Sequence, residues 1–167
     1  LKGLQRVDWL FGSPAIQAGT AVVGAGPIGQ LCARILTLRG FPVSVFDREP
    51  RRLSYLDDID AETSDNLDGI ERFALIVEAT GDPDALHLLL EKSKPGATLL
   101  LLGLPYSRRE FSFESVVAYD KAVVGSVGRG ASDFREALQI LPRLCLDSFL
   151  EHTIRLEDVL ESWQRFE

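Results

Sequence analysis

Apolar positions along this chain recur with two different periods. Over residues 27–39, Ile28, Leu31, Cys32, Ile35 and Leu36 follow the i, i+3, i+4, i+7, i+8 spacing of one helix face. Pro27 suits the first helical position, where an absent N–H loses no partner, and Gly40 is placed to end the helix. Residues 1–10 put Leu1, Leu4 and Val7 or Asp8 at helical spacing, and Gly12, Ser13 and Pro14 break that run. Residues 83–92 predict a helix with Leu86, Leu89 and Leu90 inward. Residues 134–146 predict another, with Ala137, Leu138, Leu141 and Leu144 on one side and Pro142 interrupting it. A last helix is predicted over 156–166, entered through Glu157 and Asp158, whose charges favour a helix start.

Short apolar runs separate these helices. Residues 21–23, 43–47, 73–79, 97–102 and 121–127 predict strands. The run 97–102 is apolar throughout, as in a strand covered on both faces of a parallel sheet. A short helix over 50–56 and a short strand near 59–62 complete the pattern, while 111–119 has no clear period. Strands alternating with helices are βαβ units, and crossover handedness leaves few topologies. The leading one is an α/β, doubly wound, mostly parallel Rossmann sheet in the order 3-2-1-4-5-6, with helices on both faces. Strand 121–127 is then an apolar edge with few charges, which invites pairing. A homodimer through that strand is the expectation, since two-fold closure is the commonest oligomer geometry.

Composition narrows the function classes. The 167 residues are 46% apolar and 26% charged, enough for one domain with a full core. A net charge of −7 argues against a nucleic-acid surface. The longest apolar run, 97–104, is too short to cross a membrane, and no signal peptide is visible, so a cytoplasmic protein is expected. Cys32 and Cys145 both read as buried thiols. His87 and His152 lie far apart and no Cys-x-x-Cys occurs, so no zinc site of ordinary ligand spacing can be written.

The chemistry concentrates in "TAVVGAGPIGQL", residues 20–31. Gly24, Gly26 and Gly29 form G-x-G-x-x-G between a strand and a helix, about 20 residues before Asp47 at the end of the next strand. Gly24 permits the sharp turn, Gly26 lets a pyrophosphate approach the backbone, and Gly29 lets helix and strand pack closely. The helix start offers N–H groups and partial positive charge to the phosphates. Asp47 can accept from both adenosine ribose hydroxyls and repels a 2′-phosphate, which favours NAD over NADP. Arg48 can pair with that phosphate, so NADP stays open. FAD is the rival ligand, because this glycine pattern also opens many flavin reductases, though their second strand more often ends in Glu.

The stretches "TAVVGAGPIGQLCARILTLRG", "VSVFDRE", "VEATGDPDAL", "PGATLLLLGLP" and "VVGSVGRGASDFREAL" occur in this order. Together they resemble the cofactor domain of the medium-chain, alcohol-dehydrogenase-like family, nearest its glucose and threonine dehydrogenase branches. The resemblance implies that residues 24–29, including Pro27 and Ile28, hold the pyrophosphate and that Asp47 and Arg48 meet the adenosine ribose. Ala79, Thr80 and Gly81 would line the adenine and ribose side. Leu102, Gly103 and Leu104 would face the nicotinamide, and Val127 and Gly128 would close that end. The family's catalytic zinc ligands have no counterpart here, and Gly128 stands where the glucose branch often has Asn. The implied organisation is an entering helix and linker over 1–18 and a dinucleotide-binding domain over 19–167, with the zinc-bearing catalytic domain outside this chain. Such a chain would orient nicotinamide for hydride transfer and, alone, turn over no alcohol. A stand-alone NAD(H)-binding regulatory module and the cofactor domain of a zinc-free quinone-reductase-like enzyme are the alternatives.

Other polar residues read more plainly. Glu78 reads as a partly buried strand-end carboxylate, His87 as a surface or half-buried side chain, and His152 as solvated. Arg108, Arg109 and Glu110 form a polar loop. Arg129 lies in a glycine-rich turn near the expected cofactor, and Trp9 and Trp163 lie near the two ends.

Overall fold

The computed structural model describes residues 1–11, 19–105, 107–128, 130–147 and 154–162. The break at Gly12, Ser13 and Pro14, together with Arg129, His152 and Trp163, lies outside the described residues. Helix α1 (Lys2–Phe11) leads to β1 (Thr20–Val23), α2 (Pro27–Leu38) and β2 (Val43–Phe46). A short α3 (Pro50–Leu53) runs on into a 3-10 turn, Ser54–Leu56, before β3 (Glu62–Ser64). Next come β4 (Leu75–Glu78), α4 (Pro83–Lys92), β5 (Thr98–Leu101), α5 (Glu114–Ala118) and β6 (Ala122–Gly125). Helix α6 (Ala131–Ile140) continues into a 3-10 turn at Leu141–Arg143, and a further 3-10 turn, Leu156–Asp158, precedes α7 (Val159–Ser162).

The six strands form one sheet in the order β3-β2-β1-β4-β5-β6, with every neighbouring pair parallel. Alternation along each strand sends side chains to two cores. Val22, Val45, Val77 and Leu100 face α1 and α2, where Leu4, Val7, Cys32 and Leu36 are buried. Ala21, Val23, Ile76 and Leu99 face the other side, under Leu89 and Leu90 of α4. The helices following β1 and β4 therefore lie on opposite faces, and the chain changes direction between these adjacent strands. Helix α2 starts at Pro27 and ends through Arg39 and Gly40, whose φ is +78°. At the start of α4, the Asp82 carboxylate accepts from the Asp84 N–H at 2.9 Å. At its end, the Lys121 ammonium donates to the Leu90 carbonyl at 2.6 Å, and burial draws that ammonium below the ordinary lysine value.

Four expectations need correction. The third strand is Glu62–Ser64 rather than 59–62, because pairing with β2 begins at Ser44 opposite Glu62, while Ile59 and Ala61 pack against the core before the strand begins. The ambiguous segment 111–119 contains helix α5. Helix α6 starts at Ala131, not 134, and of the expected inward residues Ala137, Leu138, Leu141 and Leu144 only Leu144 packs against the core. Leu138 and Leu141 are exposed, while Ile140 and Leu144 pack against the core. On the same side as Ile140, Glu136 accepts from the Gln5 amide at 2.5 Å and lies 3.5 Å from Arg39. Finally, Cys32 is buried but Cys145 is exposed, since the half-buried Leu144 and Leu146 on either side turn it outward.

Candidate functional site

The turn after β1 is built by contacts no side chain could share. The Gly24 N–H donates to the Phe46 carbonyl at 2.7 Å, and Gly24 has φ +100°. A Cβ there would come within 3.0 Å of the Ala79 carbonyl carbon and the Thr80 nitrogen. A Cβ on Gly29 would fall 1.7 Å from the Gly24 carbonyl oxygen, so α2 can approach the turn only as glycine. Gly26 differs from both. It caps α2 in an extended conformation, and an added Cβ would meet nothing within 4 Å. The start of α2 thus faces open space, with the positive end of the helix directed into it.

Asp47 closes the neighbouring wall. Its Oδ2 accepts from the Ala25 N–H at 2.7 Å and lies 3.7 Å from Arg52 Nη1, and its Oδ1 accepts from the Glu49 N–H at 2.9 Å. A carboxylate offers about four acceptor positions, and the two backbone N–H groups take two of them. The exposed Arg48 guanidinium lies 3.7 Å from the Asp82 carboxylate across the mouth. Together these residues border a cavity of about 820 Å³.

Of the residues singled out from the sequence, Gly24, Gly26, Pro27, Asp47, Arg48, Ala79 and Thr80 line this cavity. Ile28, Leu102, Val127 and Gly128 instead line a second cavity of about 480 Å³, bounded by α1 and α6. Gly81, Gly103 and Leu104 belong to the loops after β4 and β5. A Cβ on Gly81 would come 2.8 Å from the Leu104 oxygen. Gly29 is buried beneath the turn. Arg109 pairs with Asp84, and His87 lies 3.2 Å from Glu91 on the same helix, so neither enters the main cavity.

Arg52 and the segment Asp65, Asn66 and Leu67 also line the main cavity and were not singled out. One signal for the latter was present, because ligands in such sheets lie outside the carboxyl ends of strands and these residues directly follow β3. Arg52 is placed by α3, whose first turn is capped when the Glu49 carboxylate accepts from the Arg51 N–H. Cys32 borders the second cavity, and burial pushes its thiol up to about 11. Among the described residues no three His, Cys, Asp or Glu side chains gather as metal ligands, and no helix is long and apolar enough to cross a membrane.

The family model "Glucose dehydrogenase C-terminus" matches residues 12–166. Glucose 1-dehydrogenase of Thermoproteus tenax is 31% identical over 179 residues, spanning 97% of this chain and 50% of that protein. Glucose 1-dehydrogenase 2 of Vulcanisaeta moutnovskia is 30% identical, spanning 96% of this chain and 44% of that protein. The chain spans about half the length of the relatives it matches. Among solved structures, an Escherichia coli alcohol dehydrogenase complexed with NADH superposes with a TM-score of 0.78 at 22% identity, over 98% of this chain and 52% of that one. A Haloferax mediterranei glucose dehydrogenase in complex with NADP, zinc and gluconolactone gives 0.69 at 23% identity, over 86% and 46%. These two likenesses show the fold. On the family match and the sequence relatives, this chain belongs to the glucose dehydrogenase C-terminal family, within the medium-chain, alcohol-dehydrogenase-like proteins.

Proposed function

We propose that this chain binds a nicotinamide dinucleotide and presents it for hydride transfer in an NAD(P)-dependent alcohol, polyol or sugar dehydrogenase. The observation that carries this reading is the open space at Gly26 beside the tethered Asp47 carboxylate, within one cavity. The residues fit the group. A pyrophosphate can reach the start of α2 because Gly26 has no Cβ, and the ribose hydroxyls can donate to Asp47. Leu102, Gly103, Leu104, Val127 and Gly128 would then orient the nicotinamide. NAD is favoured over NADP, since Asp47 supplies negative charge at the ribose while Arg52 faces Asp47 and Arg48 faces Asp82. The bound coenzyme supplies the hydride chemistry, and this chain's residues bind, orient and shield it. Zinc belongs, on the family resemblance, to a catalytic domain outside this chain, so the chain alone binds coenzyme without turning over alcohol.

Calorimetric titration with NADH and NADPH tests the reading. Binding of NADH is expected, and Asp47→Ala should weaken it about tenfold or more while NADPH loses less. The ratio is the informative readout, because loosening the Ala25 turn alone affects both coenzymes equally. An unchanged ratio removes Asp47 from the ribose, and no binding of either coenzyme overturns the function.

We propose pairing of two copies through β6, which must either be confined to the backbone around Val123 or displace bonds already made within the chain. Along the outer edge, the Lys121 N–H already donates to the Val116 carbonyl, and the Gly125 and Val127 carbonyls accept from Arg6 and Lys2. The exposed Val123 between them is where a two-fold axis would pass. Light scattering should give a dimer mass, and a monomer at high concentration sinks the proposal.

A further inference from the structure

One buried ionisable group at the strand ends has no task in this scheme. Glu78 is the last residue of β4, paired in register with Val23 of β1 where the winding reverses, and it is 2% exposed. Its Oε1 accepts from the Thr80 N–H at 2.6 Å, from the Gly81 N–H at 3.0 Å and from the Thr80 hydroxyl. Its Oε2 is turned to the loop after β5, where a Cβ on Gly103 would come within 2.6 Å of it. The Thr80 segment in turn abuts Gly24. Three strand-end loops therefore meet around this carboxylate. Among the described residues no Lys, Arg or His pairs with it. Its donors are dipoles, which satisfy its oxygens but leave its net charge in place. In a water-poor surrounding that charge acts further than it would at the surface.

On the dinucleotide reading the nicotinamide would face the loop of Leu102, Gly103 and Leu104, and the Glu78 Oε2 lies against Gly103 of this loop. The oxidised ring is a cation and the reduced ring is neutral. We propose that Glu78, without touching the coenzyme, holds the Thr80 loop in place and biases the site toward the oxidised, positively charged form. This rests on the dinucleotide reading above.

The test compares dissociation constants of NAD+ and NADH on the 167-residue chain by calorimetry at fixed pH and salt. In Glu78→Gln the ratio Kd(NAD+)/Kd(NADH) should rise about tenfold, the scale of a unit charge's interaction at an effective dielectric of ~20. Glu78→Asp keeps the charge, so its ratio should stay within about twofold of the parent even where both affinities fall. Thr80→Val carries the test if the glutamine variant does not fold. It removes one donor from Oε1 and should lower the ratio by about twofold. If Glu78→Gln leaves the ratio unmoved while the parent binds both coenzymes, this inference alone falls and Glu78 is a loop anchor. If the parent binds neither, the dinucleotide reading falls and takes this inference with it.

Discussion

Helices α2 and α6 lie on the same face of the sheet, both begin after a glycine, and both carry apolar residues at helical spacing. Yet α2 buries seven residues, even Arg34, whose guanidinium reaches Asp58 at 2.9 Å and the Tyr55 carbonyl at 2.6 Å. In α6 no residue is buried: Leu138 is exposed, and Phe134 and Leu141 border the open second cavity instead of a closed core. The difference comes from place rather than period. Helix α2 crosses the middle of the sheet, with α1 and α3 beside it, whereas α6 follows the edge strand. Periodicity says which residues share a side of a helix. Only the neighbours say how much of that side is covered.

The sharpest way to break this comparison is at the glycine turn that starts α2. Gly29→Ala must push its Cβ off the Gly24 oxygen, so a loss of about 3–5 kcal/mol in urea unfolding is expected. Gly26→Ala meets nothing and should change stability by about 1 kcal/mol or less, while coenzyme affinity falls because the phosphate approach is filled. Equal stability losses at both positions would mean that the turn is not packed as described.

The core substitutions come next. Leu36→Ala in α2 removes a side chain that is 1% exposed and should cost about 2–5 kcal/mol. Leu138→Ala in α6, where the residue is 56% exposed, should stay within about 0.5 kcal/mol. A large loss at Leu138 in the chain alone would show that α6 is covered.

The two thiols differ in proton affinity and in access. Buried Cys32 holds its proton up to about 11, against an ordinary value of 9.0. Between these values the native state keeps a proton that the unfolded chain releases, so stability falls as pH rises through that window. The decline attributable to this thiol reaches about 3 kcal/mol and should be shallower in Cys32→Ala. A thiol reagent near neutral pH should modify Cys145 at once and Cys32 only on unfolding.

Much of the site was legible because its parts are local. Gly24, Gly26 and Gly29 lie within one turn and one helix start, and Asp47 ends the next strand, so spacing alone linked them. Arg52, Asn66 and Glu78 were harder to read for a common reason. Arg52 meets Asp47 only because α3 folds back over it. Asn66 reaches the cavity only once β3 pairs with β2. Glu78 looked like an ordinary strand end until the loops after β1, β4 and β5 closed around it. The misplaced third strand follows the same logic, since three residues carry too little period and their limits come from β2.

By itself the sequence determined the doubly wound sheet, its strand order and the glycine turn, because these depend on short-range patterning and on the fixed handedness of crossovers. Tertiary structure alone decided that Cys145 faces outward, that α6 stays uncovered and that Glu78 is enclosed. Burial is set by groups distant in the chain, and no window of neighbouring residues contains them.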